Sequence, residues 1–184
     1  MITVDNEIDF LSNVFDFIHE FTGISEDVIF RGYQNKMVLP DDDEFCIFTP
    51  INRIRVGTNK RSFNAIGVPD TENGTERETQ GVSIDVQIDF WGENASRYAQ
   101  AIQTAAGSLM ANDFFKKNGQ AMALLSADNP RNLTAIDETQ QYNARWSITC
   151  RFLIETSISK SEAWFEDVTF VAIKNVDVYF PPND

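Results

Sequence analysis

The sequence contains little of what enzymes and metal-binding proteins use. Among its 184 residues there are one histidine, His19, and two cysteines, Cys46 and Cys150. A zinc site needs several His or Cys ligands close together, and these three separated residues do not provide them. The sequence also has no G-x-S-x-G nucleophile elbow, no Walker loop and no G-x-G-x-x-G motif. We therefore predict that the protein is not an enzyme and needs no metal or other cofactor.

Positive charge is scarce as well. Fifteen Lys and Arg residues stand against 28 Asp and Glu residues, which gives a net charge of −13. A surface that grips nucleic acid through its phosphates needs clustered cations, so this balance argues against such binding. The charge is also uneven: residues 1–46 hold eleven acids and two bases, whereas residues 47–80 hold four acids and five bases. An acidic end and a basic middle can meet across a head-to-tail subunit contact, or the acids can simply form a solvated face.

Long apolar runs are missing too. No stretch approaches the roughly 20 apolar residues that a membrane span requires, and Asp5, Glu7 and Asp9 interrupt any signal peptide. We expect no membrane contact. Cys46 and Cys150 each lie within an apolar, strand-like run, which predicts buried, reduced thiols and a cytosolic compartment.

What the sequence does contain is clear apolar periodicity, which predicts two main helices. The first runs from Asp5 to Phe21 and ends at Gly23. The second is capped by Asn94 and runs to about Asn112. Its predicted inner face consists of Tyr98, Ala99, Ile102, Ala105, Ala106, Leu109 and Met110.

Alternating apolar residues predict a sheet. The clearest strands are 82–90 and 144–155, and further strands are predicted at 28–33, 45–56 with a break at Pro50, 122–125, 165–173 and 176–180. The polar faces of the two clearest strands carry opposite charges. If these strands pair antiparallel, Asp85 and Asp89 come near Arg145 and Arg151.

These elements indicate an α+β fold. We predict a mixed, mostly antiparallel sheet packed against two main helices, in one domain that spans residues 1–184. Residues 57–81 are polar and rich in glycine, which predicts a long hairpin tip or loop. Loops of this length in compact domains are usually functional or disordered.

Two stretches contain candidate contact residues. Phe63, Ile66 and Val68 are apolar residues within the polar 57–81 segment, and they either dock into a partner or pack at the base of the loop. In the turn that contains Asp128 and Arg131, Asp and Pro side chains favour a fixed backbone. Arg131 either holds the turn by bonding to a carboxylate or to loop carbonyls, which is the interpretation that we favour, or lies at a subunit contact.

Several of these segments resemble the neck and tail terminator proteins of bacteriophages. The strand that ends in Asp-Phe-Trp-Gly at Gly92 is similar to the strand-to-helix junction of that family. The similarity is strongest in Ser126-Ala127-Asp128-Asn129-Pro130-Arg131 and in Gln140-Gln141-Tyr142 with Arg145-Trp146. It extends over most of the chain, including 28–35 and 175–178, but not over the polar 57–81 segment.

The resemblance implies a structural virion protein at the head-proximal end of the tail, assembled in the host cytoplasm. Such a protein forms a ring, expected to be a hexamer, that terminates the tail tube and joins it to a head connector or stopper protein. Genomic DNA passes through the lumen without specific binding. Phe63, Ile66, Val68, Asp128, Arg131, Tyr142 and Arg145 are then candidate interface residues. Two alternatives stay open: a tail tube or connector subunit, and a small ligand-binding or hydrolytic domain that uses carboxylates.

Overall fold

The computed structural model describes residues 2–4, 7–33, 44–64, 73–136 and 142–163. The helices within these ranges are α1 (Glu7–Thr22), a 3-10 turn (Glu26–Val28), α2 (Ala95–Ala106) and α3 (Met110–Lys117). The strands are β1 (Ile2–Val4), β2 (Ile29–Arg31), β3 (Phe45–Asn64), β4 (Asn73–Trp91), β5 (Met122–Ala127), β6 (Arg131–Asn132), β7 (Ala135–Ile136), β8 (Tyr142–Asn143) and β9 (Arg145–Ala163).

Three long antiparallel strands form the centre of the sheet. The strand order is β1-β9-β4-β3-β2, and β5 and β6 also pair with β9, while β7 and β8 form a separate two-stranded ribbon. All of these pairings are antiparallel except that of β2 with β3. The α+β fold with a mixed, mostly antiparallel sheet is therefore confirmed.

The helices cover one face of the sheet and bury its apolar residues. On β4, the alternating residues Val82, Ile84, Val86, Ile88 and Phe90 are all buried on that face. Aromatic rings from α1, α3 and β9 meet over the sheet, with the ring centroids of Phe17, Phe115 and Phe152 separated by 5.4–6.1 Å. Edge-to-face and tilted ring pairs of this kind stabilise a core beyond their buried area.

The first helix agrees with its predicted bounds to within two residues. It ends where Gly23 takes a φ of 71° and donates its N–H to the carbonyl of His19 at 2.9 Å. A left-handed residue at this position favours glycine because it has no Cβ.

The second predicted helix is wrong in its length, because the chain forms two helices with a turn between them. Gly107 ends α2, and the hydroxyl of Ser108 accepts the N–H of Met110 at 3.2 Å, where α3 begins. Glycine lowers helix stability and a serine oxygen caps exposed N–H groups, so this Gly-Ser pair favours a break. Leu109 and Met110, predicted on the inner face, are instead 78% and 65% exposed.

The predicted interruption of the third strand at Pro50 is also wrong. β3 continues from Phe45 to Asn64, although its register against β4 shifts at Ile51 and again between Val56 and Lys60. Proline is tolerated here because β2 pairs with β3 only as far as Phe48, so Pro50 lies next to a bulge on an edge. Within the polar 57–81 segment, residues 57–64 and 73–81 are accordingly the paired ends of β3 and β4, and residues 65–72 lie outside the described ranges.

Some predictions concern residues outside the described ranges. These are the strands at 165–173 and 176–180 and the candidate contact residues Ile66 and Val68.

Candidate assembly surface

Within the described residues, no group of three or more His, Cys, Asp or Glu side chains is placed to hold a metal ion. His19 is half-buried and engaged in local structure, with its Nδ1 2.8 Å from the carbonyl oxygen of Ile24 and its Nε2 3.8 Å from a carboxylate oxygen of Glu26. None of the helices in the described ranges is long and apolar enough to cross a membrane.

Both cysteines are buried and free, as the sequence predicts. Burial, together with the nearby charge of Asp128, raises the pKa of the Cys150 thiol to about 12. Burial also raises the pKa of Cys46. Because the thiolate is the reactive form, both side chains act as small apolar core residues.

The face of the sheet opposite the helices carries the predicted charge pairs. Arg151 lies directly across from Asp85, and its Nε donates to Oδ1 of that carboxylate at 2.7 Å. Arg145 reaches diagonally, with its Nη2 3.2 Å from Oδ1 of Asp89. The antiparallel pairing predicted from the two alternating strands is therefore confirmed.

At the end of the sheet where β4 ends and β9 begins, Arg145 is a packed side chain rather than a free one. Its guanidinium carbon lies 5.0 Å from the ring centroid of Trp91 on β4. The ring of Phe45 on β3 stacks on the same indole, with the two ring centroids 4.6 Å apart. A cation over an indole face is stabilised by the ring quadrupole. We conclude that Arg145 fixes the end of the sheet while remaining half-buried at the surface.

The polar turn between β5 and β6 lies at this same end. The N–H of Asp128 donates to the carbonyl of Thr149 at 2.9 Å, which ties the turn to β9. Arg131 and Asp128 form an exposed ion pair, with Nη2 and Oδ2 3.6 Å apart. Arg131 thus bonds to a carboxylate within the turn, in agreement with the interpretation favoured from the sequence. Tyr142, on β8, is 79% exposed.

At its other end the sheet extends beyond the helices as an arm, which we define as residues 56–64 of β3, 73–81 of β4 and 155–163 of β9. These segments pair with one another without interruption on the β4–β9 side. Nine strand residues span about 30 Å. The apolar core ends at Val82 on β4 and Ile154 on β9, so among the described residues no helix packs an apolar core against the arm.

Polar contacts hold the arm together in place of that core. Arg61 forms an ion pair with the largely buried carboxylate of Glu76. Arg77 donates from Nη2 to the hydroxyl of Ser157 at 2.6 Å. At the second bulge, Gly57 adopts a φ of 81° and accepts the Nε–H of Arg55 at 2.9 Å.

The bulge at Ile51 changes which side chains of β3 face outward. Before it, Phe48 lies opposite Ile88 on the helix-covered face. After it, Ile54 lies opposite Ser83 and Val56 opposite Gly81, on the other face. An inserted residue reverses the period-2 alternation of a strand. Ile54 and Val56 are consequently about half exposed, at 47% and 49%.

The predicted contact residues therefore fall into two groups. Asp128, Arg131, Tyr142 and Arg145 lie at the end of the sheet where β9 begins. Phe63 lies on the arm and is 51% exposed. It is opposite Glu76, which lies fifteen residues along β4 from Trp91. Fifteen strand residues measure about 50 Å. The two groups are thus distinct surfaces rather than one site.

Three exposed or positioning features are not evident from the sequence. Helical periodicity places Leu109 and Met110 in the core, because it does not show where a helix breaks. Strand alternation does not identify Ile54 and Val56 as exposed, because it does not show a bulge. No local pattern indicates a role for Glu44, whose side chain holds the start of α2.

Glu44 takes the place of the predicted side-chain cap from Asn94. Its Oε1 accepts the backbone N–H of Asn94 at 3.1 Å and the side-chain Nδ2–H at 2.6 Å, and its Oε2 accepts the hydroxyl of Tyr98 at 2.9 Å. Burial raises the pKa of Glu44, but these hydrogen bonds outweigh it and the pKa is lowered overall. A carboxylate at a helix N-terminus is also favoured by the helix dipole.

Comparison with known families gives one assignment that covers nearly all of these elements. The family model of the phage neck terminator protein matches residues 12–183. No individual curated protein matches the chain. The match includes the strand-to-helix junction, the turn with Asp128 and Arg131, and the arm. The chain belongs to the phage neck terminator protein family, whose members are structural proteins of the virion neck.

Proposed function

We propose that this neck protein assembles into a hexameric ring that terminates the tail tube and joins the tail to the head connector. We also propose that it acts as a single domain over residues 1–184, that it is assembled in the host cytoplasm and that it has no enzymatic activity. The observation that carries the proposal is the arm, which no helix of the described residues covers with an apolar core. A sheet that extends about 30 Å beyond its apolar core has surface to offer to other subunits.

The composition of the arm supports a role in assembly. Residues 51–63 of β3 are all exposed, and they include the large apolar residues Ile51, Ile54, Val56 and Phe63. The same stretch carries four bases and no acid. Apolar and arginine side chains with few acids are typical of the residues that supply binding energy at protein interfaces.

Two surfaces at opposite ends of the sheet suit a protein that sits between two structures. In the proposed neck, the arm and the turn that contains Asp128 and Arg131 make different contacts, one of them with the tube and the other with the head connector or stopper. Phe63, Tyr142 and Arg145 belong to these contacts in the proposal, and Ile66 and Val68, outside the described ranges, are included on the sequence alone.

The acidic character of the chain fits a ring through which DNA passes. A wall with net negative charge repels the phosphate backbone, so the duplex moves through without binding. In the proposed ring the basic residues lie between subunits rather than along the lumen, so the lumen wall keeps its negative charge.

The proposal is tested by the mass and shape of the assembled protein. We expect native mass spectrometry to give six copies of the 20.9-kDa chain, alone or in the presence of tail tubes. Electron microscopy should show single rings at tube ends, and added protein should stop tube growth. A chain that stays monomeric under both conditions contradicts the proposal.

A tail tube or connector subunit is the second candidate, because a long β-hairpin arm also suits stacking of one ring on another. Electron microscopy separates the two. Purified protein that polymerises into continuous tubes supports the tube subunit, and binding to the portal without any effect on tube growth supports the connector. A hydrolytic or ligand-binding role would instead require turnover or saturable binding of a small molecule.

A further inference from the structure

The sheet has two open edges at the level of the arm. On one side, β2 covers β3 only from Cys46 to Phe48, and its last hydrogen bond runs from the N–H of Gly32 to the carbonyl of Phe48 at 2.8 Å. On the other side, the outermost strand is β1, which pairs with β9. No further strand of the described residues lies beside either edge. A strand edge of this kind presents N–H and C=O groups that act as a template for another strand.

The two edges lie at the same height along the arm. Thr3 of β1 is opposite Ser159 of β9. Arg77 of β4 is opposite the same serine from the other side, and Ser62 of β3 is opposite Arg77. The three residues of β1 are therefore level with residues 61–63 at the end of β3. Thr3 and Ser62 are separated by three strand spacings, or about 14 Å, so they do not meet within one chain.

The directions of the two edge strands are also compatible. β3 and β9 run toward the end of the arm that contains Asn64 and Asn73, whereas β4 and β1 run away from it. When subunits stand around a ring with their arms parallel, β1 of one subunit meets β3 of the next in antiparallel orientation. The antiparallel alternation of the arm then continues across the subunit boundary, and a closed ring leaves neither edge open.

Charge favours contact between the two different edges over contact between like edges. Residues 51–63 of β3 carry four bases and no acid. Residues 1–9, which include β1, carry no Lys or Arg but three acids, namely Asp5, Glu7 and Asp9. Two β3 edges placed side by side would repel each other, whereas a β3 edge attracts the acidic segment that contains β1.

The bases on β3 are not all neutralised within the chain. Arg61 is paired with Glu76 inside the arm, so it adds little to this attraction. Arg55, in contrast, donates to two neutral acceptors, the carbonyl of Gly57 and the side chain of Asn59. Lys60 is exposed. The positive charge available to a partner therefore comes in part from Arg55 and Lys60.

We propose that β1 of one subunit pairs antiparallel with the outer edge of β3 of the next subunit, at residues 60–64. The partner of each edge is a second copy of this chain, and the arms join into one continuous sheet around the ring. Contacts between two different surfaces of the same chain generate closed rings when the rotation between copies closes. This inference rests on the proposed ring and adds to it the backbone contact that joins neighbouring subunits.

Cysteine pairs on the two edges test this contact directly. Thr3→Cys is combined in turn with Lys60→Cys, Ser62→Cys or Asn64→Cys, three positions on one face of β3 that allow for a stagger between subunits. A disulfide needs Cα atoms within about 7 Å, so none of these pairs closes within one chain. Oxidation of the assembled protein should give, for one pair, a covalent ladder of up to six chains that reductant returns to single chains.

The matched control combines Thr3→Cys with Thr104→Cys. Thr104 is exposed on α2, outside both edges. This combination should give no ladder under the same oxidation. The native cysteines, Cys46 and Cys150, are buried and should not take part. Circular dichroism and thermal unfolding check that every variant is folded before oxidation.

A charge reversal on β3 gives an independent measurement. Lys60→Glu should weaken association about 3- to 10-fold, because attraction to the acidic segment becomes repulsion. Lys117→Glu is the control, because this lysine is exposed on α3 and its replacement changes the net charge by the same amount. The control should change association by less than about 2-fold. Equal weakening by both variants would contradict the contact at β3.

The outcomes separate this inference from the proposed function. If the wild type forms rings, alone or on tail tubes, and none of the three cysteine pairs gives a ladder, the ring stands and the pairing proposed here is wrong. A ladder of equal yield in the control with Thr104→Cys also overturns the pairing, because the disulfides then reflect random collision. If the wild type remains monomeric both alone and with tail tubes, the ring proposal fails and this contact fails with it.

Discussion

The same three strands, β3, β4 and β9, pass through two regions that are stabilised by different forces. Between Val82 and Phe90, alternate residues of β4 are apolar and buried under helices. Between Glu76 and Gln80, the residues on that same face are polar, and Arg61 pairs with Glu76. Backbone pairing with β9 continues through both regions without a shift. A sheet can therefore extend far beyond its apolar core when polar side chains replace that core.

The largest expected difference between the two regions concerns aromatic truncation. Phe152→Ala should lower the free energy of unfolding by about 3–5 kcal/mol, because it opens a cavity among Phe10, Phe17 and Phe115. Phe63→Ala on the arm should cost less than about 1 kcal/mol, because that ring is half exposed. Urea denaturation of both variants measures the difference. Equal losses would mean that the arm contributes to the same cooperative core.

The next effect concerns the charge pair on the polar face of the helix-covered region. The hydrogen bond from Arg151 lowers the pKa of Asp85, and burial opposes this only in part. Asp85→Asn should cost about 1–2 kcal/mol at pH 7, a modest value because the Arg151 side chain is half exposed to solvent.

The pH dependence has a defined sign. Because the folded-state pKa of Asp85 lies below its unfolded value of about 3.9, its contribution to stability is fully present above that value. The contribution falls as the pH drops through the folded-state pKa. The difference between wild type and Asp85→Asn should thus shrink below about pH 4, and Asp16→Asn, at an exposed site in the middle of α1, serves as the control. A difference that is constant from pH 7 to pH 2 would show that the ion pair is not its cause.

A smaller effect is expected at the start of α2. Glu44→Ala should lower stability by about 1 kcal/mol, because the N–H of Asn94 and the hydroxyl of Tyr98 lose their acceptor. Glu93→Ala, at an exposed position one residue before Asn94, is the matched control and should change stability by less than about 0.5 kcal/mol. Thermal unfolding of the two variants gives the answer, and a larger loss in Glu93→Ala would contradict the proposed cap.

The smallest expected effect on stability lies on the arm. Lys60→Ala should leave the free energy of unfolding within about 0.5 kcal/mol of the wild type, because the side chain is exposed on an edge strand. The isolated chain and its assembled form should be measured separately. A loss of several kcal/mol in the isolated chain would show that the arm has a buried core of its own.

The sequence predicts those parts of the fold in which local pattern and tertiary packing agree. The alternation at 82–90 and 144–155 identifies the two central strands, and the charges at Asp85 and Arg151 predict their pairing. The resemblance to phage neck terminators likewise identifies the family.

Where the prediction is wrong, a single residue changes the periodicity. Gly107 divides one predicted helix into two and exposes Leu109 and Met110. Ile51 inserts one residue into β3, so the pattern that places Phe48 in the core no longer places Ile54 there. Apolar periodicity shows which residues share a face, but not whether a helix or strand continues without interruption.

The candidate surfaces were harder to predict for a related reason. Phe63, Tyr142 and Asp128 are exposed, but they lie at two ends of a long sheet, and sequence spacing alone does not give that separation. Glu44 acts on Asn94 through a contact between residues fifty positions apart. Only the folded strand arrangement brings these two side chains together.

The extra residue at Ile51 decides which side chains of β3 face away from the helices. Removing a single codon there would return Ile54 and Val56 to the side of the sheet that the helices occupy, and would turn their neighbours outward instead. A one-residue deletion or insertion at this position thereby changes which side chains this part of β3 presents to solvent, while every other amino acid of the chain stays the same.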